Sequence, residues 1–479
     1  KIMKLKYLFL SFVLIAFTGC DADLDSLEGM PVFVDIDSGD ADFERFVAVG
    51  ASVTAGYTDN ALFQAGQMNS YPNIMAGVMA HADGGVFTQP YANDNVGGLL
   101  LFGNQIAGPR LFFNGAGPQS VSGTPTTEVS DIMSGPFSNL GVPGAQALHL
   151  LAPGFGSMAG LMIGQANPYY VRMASSEGAS VVGDALMQAP TFVALWSGGN
   201  DALGFAVSGG TSSLTAPAAF DFAFGTTMAM LASSGAGGIV ANIPDVTALA
   251  FLNTVPYNSI PLDGGTASLL NGGFAAYNGG LQVFAMMGMI SAAEAAARTI
   301  VFAAGMNAVT IEDNDLTNLS FFGLPNYRMA TANDKVVLTA ATFLGTTVGG
   351  NPTQINGVSV PLADNWVLTA SEVAEAQAAV NSFNATIQAV TSQYGWAHWD
   401  AYGVLNQVTG PGYPIDDFVV TGDLVMGGLF SLDGVHPTAR GNAMIAKLMI
   451  AAIDAHYGSN LSDVNFDIGD YPTNYPDGL

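Results

Sequence analysis

Short apolar runs that end in glycine or another turn residue limit the possible fold of this chain more than any other feature. The clearest run, Phe46-Val47-Ala48-Val49, leads directly into Gly50. Three further runs have the same character: 191–196, 238–242 and, less regularly, 397–402. Segments with helical spacing lie between them: 222–232 and 371–394. Because buried strands that alternate with helices form parallel sheets covered on both faces, the pattern predicts an α/β fold with a doubly wound parallel sheet.

The uneven spacing of these runs predicts how the domain is organised. The intervals 61–138 and 245–390 are much longer than one crossover connection needs, so we expect two large loop or helical insertions. The domain itself is expected to span 43–457. Residues 458–479 have no periodicity and are expected to form a C-terminal tail.

The N-terminus has the composition of an export signal. Three lysines precede an apolar stretch at 7–17, which predicts a signal peptide at residues 1–19. The segment Phe17-Thr18-Gly19-Cys20 resembles a bacterial lipobox, which implies lipid attachment to Cys20 and an acidic tether at 20–42. This predicts a lipid-anchored protein of the bacterial cell envelope that is attached to the outer membrane. Both the periplasmic and the extracellular face of that membrane remain compatible with the sequence. An ordinary secretory signal is the alternative.

Charge and cysteine content exclude several classes of partner. The chain has 11 Lys and Arg against 38 Asp and Glu, a formal net charge of −27, which repels nucleic acid. Its single cysteine excludes an internal disulfide. The acidic segment 312–315 lacks the loop pattern of calcium-binding sites, so we interpret it as a solvated loop. Binding of a structural calcium ion remains the alternative. No metal or other cofactor is expected.

A serine follows the first predicted strand in Gly50-Ala51-Ser52-Val53-Thr54. At a strand-to-helix turn the Ser52 hydroxyl can face a cleft, where the helix N-terminus favours a developing anion. Thr54 stands where the G-x-S-x-G elbow of α/β-hydrolases has its second glycine, so that motif is absent. A serine that only caps the helix is the alternative interpretation.

A possible base lies near the other end, in Asp433-Gly434-Val435-His436. A carboxylate three residues before a histidine can bind Nδ1 and leave Nε2 free to take a proton from a serine. Such pairs also arise by chance. The rival pair is His398 and Asp400, whose side chains share one face of a probable strand but have no accompanying serine motif.

Two further segments offer hydrogen-bond donors for an oxyanion. Asn139-Leu140-Gly141 contains a glycine whose N–H a ligand can approach closely. In Gly198-Gly199-Asn200-Asp201 the Asn200 amide lies just beyond a predicted strand.

These four blocks, in this order, resemble those of the SGNH/GDSL hydrolases. The resemblance implies a flavodoxin-like fold and ester hydrolysis through an acyl-enzyme, with Ser52 as nucleophile, His436 as base and acid, and Asp433 orienting His436. It also implies an oxyanion hole formed by the N–H groups of Ser52 and Gly141 with the Asn200 side chain. Ala51 and Val53 depart from the motif, which has Asp and Leu there.

Two other functions remain compatible with the sequence. The same triad would serve a carbohydrate esterase that removes acetyl groups, and the fold could also belong to a non-catalytic surface binding lipoprotein. The sequence therefore predicts only that the substrate is an ester of a small molecule, a lipid or a glycan. It does not predict the oligomeric state. A site for lipids should have an exposed apolar rim contributed by the insertions.

Overall fold

A five-stranded parallel sheet forms the centre of the protein, whose computed structural model describes residues 35–479 except 352. The signal peptide, Cys20 and most of the predicted tether therefore lie outside the described residues. The strands are β1 (Phe46–Gly50), β2 (Asn139–Gly141), β3 (Phe192–Trp196), β4 (Gly237–Ala241) and β5 (Ala397–Trp399). All neighbours pair in parallel in the order β2-β1-β3-β4-β5, a doubly wound order. The predicted α/β class with a parallel sheet is confirmed.

The strands are nearly continuous apolar runs because helices cover both faces of the sheet. All five residues of β1 are buried, as are all but the last residue of β3. Of the less regular run 397–402, only 397–399 forms a strand. The strand ends there because the Asp400 side chain accepts a hydrogen bond from the Gly403 N–H and caps the helix that follows. Strand β2 was not among the predicted strands.

Helices connect and cover the strands. They include α1 (Ser52–Ala55), α2 (Tyr71–Met79), α3 (Val181–Met187), α4 (Asn200–Val207), α5 (Pro217–Ala232), α6 (Gly264–Met286), α7 (Ala370–Tyr394), α8 (Ala401–Thr409) and α9 (Ala439–Tyr457). Further helices are Gln64–Met68, Met158–Leu161, Pro168–Val171, Ala250–Asn253 and Ala292–Arg298. Helices α2 and α9 pack together, and α5 packs against α7. Because right-handed crossovers run in opposite directions on the two sides of β1, these pairs lie on opposite faces of the sheet.

Aromatic side chains join these layers to the sheet. Trp196 lies between Tyr71 and Trp399, with ring centroids 5.6 and 5.3 Å away. On the other face, Phe220 of α5 stacks on Phe383 of α7 at 4.2 Å. These contacts join the end of β3 to α2 and β5, and α5 to α7.

The predicted insertions 61–138 and 245–390 contain helices that belong to the sheet layers. Helix α2 lies within the first interval and α7 mostly within the second, yet both pack against other sheet-covering helices. The added elements are mainly short antiparallel pairs. They are Leu99–Leu101 with Asn104–Ala107, Leu111–Phe113 with Pro118–Ser120, Ile260–Leu262 with Gly305–Asn307, Thr310–Glu312 with Tyr327–Met329, and Lys335–Val336 with Val367–Leu368. A further pair, Tyr413–Ile415 with Phe418–Val420, follows α8.

Both ends of the compact unit Asp37–Leu479 are hydrogen-bonded to its body. The Asp40 N–H donates to the Tyr457 carbonyl, so 37–42 of the predicted tether lie against the end of α9. In the C-terminal tail, Tyr475 packs with Phe63 and accepts a hydrogen bond from Asn69. Within the described part of the chain, no helix is both long enough and apolar enough to cross a membrane.

The stacked pair between α5 and α7 leads to a stability prediction. Phe220→Ala should lower the free energy of unfolding by about 3–5 kcal/mol, because it leaves a cavity between the two helices. Phe222→Ala is the matched control: it lies on the same helix but is 65% exposed, so its effect should stay within about 0.5 kcal/mol. Urea denaturation followed by circular dichroism measures both. Equal losses would contradict the packing described.

Candidate active site

Ser52 lies at the first position of α1, directly after β1. This is the carboxyl edge of the sheet at the point where connections leave β1 in one direction and β3 in the other, the usual ligand site of doubly wound sheets. The side chain is mostly buried, and its Oγ lies 2.9 Å from His436 Nε2. The turn thus directs the hydroxyl to a histidine from the far end of the chain.

The segment 433–436 is a tight loop that brings a carboxylate to the other imidazole nitrogen. Asp433 Oδ2 lies 2.9 Å from His436 Nδ1. Asp433 Oδ1 accepts hydrogen bonds from the backbone N–H groups of Val435 and His436, at 2.8 and 2.9 Å. The structure therefore brings together the three residues singled out in the sequence, in the order Asp433, His436, Ser52.

Gly434 makes this loop possible. Its φ is +72°, and a Cβ at this position would lie 2.8 Å from the Phe251 backbone nitrogen, which itself donates to the Gly434 carbonyl. Only glycine meets both requirements without strain. The helix Ala250–Asn253 therefore packs directly against the loop that carries Asp433 and His436.

The Asp433 carboxylate stays ionised despite its burial. Burial by itself would raise its pKa, but the charge of His436 and the hydrogen bonds that it accepts from His436 and Val435 lower the pKa to about 2. An ionised Asp433 accepts a hydrogen bond from the protonated Nδ1 of His436. In the neutral imidazole this leaves Nε2 without a proton. Nε2 can then accept the Ser52 hydroxyl proton.

A turn at residues 58–60, which the sequence interpretation missed, supports the loop that carries Asp433 and His436. The Asn60 N–H donates to Asp433 Oδ2 at 2.9 Å, and the Asp59 carboxylate accepts from the Leu432 N–H at 3.1 Å. Asp59 and Asn60 have φ of 51° and 64°. Aspartate and asparagine tolerate this left-handed conformation better than other non-glycine residues. The dipeptide Asp59-Asn60 was therefore the one sequence signal that could have predicted this turn.

A small, mainly apolar cavity of about 90 Å³ opens beside the serine. Ser52, His436 and Asn200 contribute its polar groups. Its other lining residues are Ala51, Val53, Trp196, Gly199, Leu203, Ile243, Pro244, Val246, Leu249 and Val435. Asn200 is thus brought into the same cavity as the serine and the histidine.

The Asn200 side chain also holds a neighbouring loop. Its Nδ2 donates to the Ala145 carbonyl at 2.8 Å, which leaves the second proton of the amide for another acceptor. The next residue, Asp201, accepts from the Ala147 N–H at 2.8 Å. The N-terminus of α4 therefore fixes the segment that follows β2.

Gly141 does not take the position expected of an oxyanion donor. Its N–H donates to Asn139 Oδ1 at 2.9 Å, and a Cβ here would lie 2.2 Å from the Ala55 nitrogen. The glycine is needed for the close packing of β2 on α1, outside the cavity beside Ser52. Gly144, three residues later, is exposed, and its N–H makes no hydrogen bond to another described residue.

Asn139, which preceded the expected donor, has a different role. Its Nδ2 donates to the Thr54 carbonyl at 2.8 Å and to Gln89 Oε1 at 2.9 Å. The side chain thus connects the edge strand to the helix that carries Ser52. Its amide protons and oxygen all have partners.

The rival pair His398 and Asp400 does not form a second site. His398 is exposed on β5, whereas Asp400 accepts from Asn242 Nδ2 at 2.7 Å and caps α8. The partial burial of its ring lowers the pKa of His398, although Asp400 counteracts this. The Asp400 carboxylate is therefore held by Asn242 and Gly403 rather than by His398.

The acidic segment 312–315 is only in part the solvated loop that we expected: Asn314 and Asp315 are exposed in a turn, but Asp313 is not. Asp313 is buried and pairs with Arg328 at 2.5 Å, while Asn314 donates to Asp364 at 2.8 Å. Asp315 accepts from the Ser371 hydroxyl. Among residues 35–351 and 353–479, no group of three or more His, Cys, Asp or Glu is arranged to hold a metal ion.

Comparisons of this chain with protein-family models, with curated proteins and with solved structures found no match.

The buried Asp59 leads to a prediction about stability and pH. Burial, together with the nearby charge of Asp433, raises the pKa of Asp59 to about 7, from 3.8 in an unfolded chain. The unfolded state therefore loses this proton first, so the contribution of Asp59 to stability is complete below about pH 4 and is lost as the pH rises to 7. Asp59→Asn, which cannot ionise, should gain about 2–4 kcal/mol relative to the parent over this range.

Urea unfolding at several pH values between 4 and 8 measures this difference. Asp83→Asn is the matched control, because Asp83 also has a positive φ, of 59°, but an exposed side chain. It should leave the pH dependence unchanged. A stability difference between Asp59→Asn and the parent that is the same at all pH values would rule out a protonated Asp59.

Proposed function

We propose that the protein is a serine ester hydrolase of the SGNH/GDSL type, with the fold of that family. The observation that carries this proposal is the hydrogen-bonded series from Asp433 through His436 to Ser52, with both imidazole distances at 2.9 Å. The strand order and the position of Ser52 at the carboxyl edge of β1 support it. The sequence blocks around the same residues resemble those of the family.

The reaction proceeds through an acyl-enzyme. His436 Nε2 takes the hydroxyl proton as Ser52 Oγ attacks the ester carbonyl, and Asp433 stabilises the imidazolium that forms. His436 then gives the proton to the departing alcohol. In the second half, His436 activates a water molecule that attacks the acyl-enzyme, and the acid leaves as Ser52 regains its proton.

Three donors would stabilise the oxyanion. The Ser52 N–H has no partner within its helix because it belongs to the first residue. The Asn200 side chain lines the cavity beside Ser52, and the Ala145 carbonyl takes only one proton of its amide. Gly144 replaces Gly141 as the third donor, because the Gly141 N–H is already bonded to Asn139, whereas the Ala145 carbonyl bound by Asn200 adjoins Gly144.

The cavity beside Ser52 favours a short acyl group. It is small, and apolar residues such as Trp196 and Leu203 line most of it. A short-chain carboxylic ester is therefore the preferred substrate, and a glycan acetyl ester is the more specific alternative. The lipid anchor at Cys20 and a position at the cell envelope remain part of the proposal on the sequence alone.

Removal of the nucleophile tests the proposal. Ser52→Ala should lower kcat/KM for short-chain nitrophenyl esters by at least about 10⁴-fold, because the chemical step then lacks its nucleophile. His398→Ala is the control, since it removes an exposed histidine outside the site and should keep full activity. Parental rates in purified Ser52→Ala would contradict the assignment.

Covalent labelling distinguishes the enzyme from a binding protein with the same fold. A fluorophosphonate probe should modify Ser52 in the parent and in His398→Ala, but not in Ser52→Ala or His436→Ala. An unlabelled, correctly folded parent would favour the binding lipoprotein. Rates on acetyl esters compared with longer acyl esters, and on acetylated glycans compared with simple esters, then separate the two esterase alternatives.

The proposed role of Asn200 leads to a separate kinetic prediction. Asn200→Ala should lower kcat by about 100- to 1,000-fold with little change in KM, because the amide binds the developing oxyanion more strongly than the ground-state carbonyl. Steady-state kinetics on a short-chain ester measure this. A rise in KM with kcat unchanged would instead assign Asn200 to substrate binding.

A further inference from the structure

Four large apolar side chains project into solvent from two neighbouring segments. We define the apolar rim as Phe102, Ile106, Met162 and Ile163, which are 60, 45, 61 and 70% exposed. The first two belong to the hairpin Leu99–Leu101 with Asn104–Ala107, and the other two follow the helix Met158–Leu161. Exposed apolar groups in such a cluster mark contact surfaces rather than ordinary surface composition.

The hairpin holds Phe102 outward at a conformational cost. Phe102 and Gly103 form the two-residue turn with φ of 51° and 78°, the left-handed pair in which asparagine usually precedes glycine. A bulky residue is rare in this conformation. The Glu128 carboxylate accepts the N–H groups of Phe102 and Gly103, at 3.0 and 2.9 Å, and so fixes the turn.

The two segments of the rim share one packed base. Leu101 of the hairpin and Leu161 of the helix both pack on the buried cluster of Leu99, Val129 and Val171. The hairpin and the turn at 162–163 therefore project from a common support.

The same cluster reaches the catalytic histidine. Tyr169 packs against it and meets Tyr57 edge to face, with ring centroids 6.3 Å apart. Tyr57 in turn lies 4.7 Å from the His436 ring. The apolar rim is thus joined to the active site by two aromatic contacts.

We infer that the apolar rim docks on the surface of a zwitterionic lipid bilayer and inserts its side chains below the headgroups. The four side chains lack charges and hydrogen-bonding groups, whereas a protein interface normally provides about one hydrogen bond per 100–200 Å². The net charge of −27 disfavours an anionic surface. The anchor predicted at Cys20 would keep the unit that begins at Asp37 within roughly 55 Å of a bilayer.

Vesicle binding tests the inference independently of the proposed esterase activity. The protein is the compact unit 37–479, which contains neither the predicted signal peptide nor Cys20, and the probe is phosphatidylcholine vesicles sedimented with the protein. Combining Phe102→Asn with Ile163→Ser should weaken partitioning by about tenfold, because two large apolar side chains no longer enter the bilayer. Adding phosphatidylglycerol at low salt should weaken binding of the parent.

Two controls separate docking from structural damage and from general hydrophobicity. Phe102→Asn alone should match or exceed the parent in thermal stability, because asparagine tolerates the left-handed turn, while it still weakens vesicle binding. Phe321→Ser removes a side chain that is 92% exposed in the second insertion and should change binding less than about twofold.

Three results would overturn the inference. One is parental vesicle binding by the combined rim variant, and another is an equal loss of binding in Phe321→Ser. The third is a parent that does not bind vesicles but forms dimers by light scattering that Phe102→Asn dissociates, because a second copy of the chain would then be the partner.

Discussion

The geometry of the candidate site depends on a set of hydrogen bonds between the turn after α1 and the loop before α9. The Thr58 hydroxyl donates to the Pro437 carbonyl, the Asp59 N–H donates to the Ser431 hydroxyl, and the Asn60 N–H donates to Asp433. Helix α1 carries Ser52, and the loop carries Asp433 and His436. Because the two elements are hydrogen-bonded to each other as well as packed on the sheet, the Ser52–His436 distance does not depend on side-chain packing alone.

The sheet gives this connection its rigidity. Strand β1 lies between β2 and β3, so both of its edges are paired and both of its faces are covered. Asn139 then links the neighbouring strand to the helix after β1, and Asn200 links the helix after β3 to the loop after β2. These two hydrogen bonds at the carboxyl edge of the sheet thus join segments that follow different strands.

Much of this architecture could be predicted from the sequence, and the failures have physical causes. Strands β1, β3 and β4 were predicted to within one residue because buried parallel strands are continuous apolar runs. Strand β2 has three residues and contains Asn139 and Gly141, so no apolar run was present. Helix α2 was assigned to an insertion because chain length, rather than packing, set that boundary. Helix α7 was predicted at 371–394, although the insertion boundary at 390 falls inside it.

The candidate site shows a similar division. Ser52, Asp433 and His436 could be singled out because each stands in a short motif with a fixed spacing. The contribution of Asp59 and the use of the Gly141 N–H by Asn139 depend on contacts with atoms two residues away or several hundred residues away. Sequence order alone carries no information about which of two nearby glycines has a free N–H.

The separation of Ser52 from His436 by 384 positions affects how the protein is made. The serine belongs to the first crossover and the histidine to the segment just before the last long helix. A chain that is synthesised from its N-terminus therefore carries Ser52 long before it carries His436. Until the loop before α9 has been made and has packed beside α1, Ser52 Oγ lacks its contact with His436 Nε2.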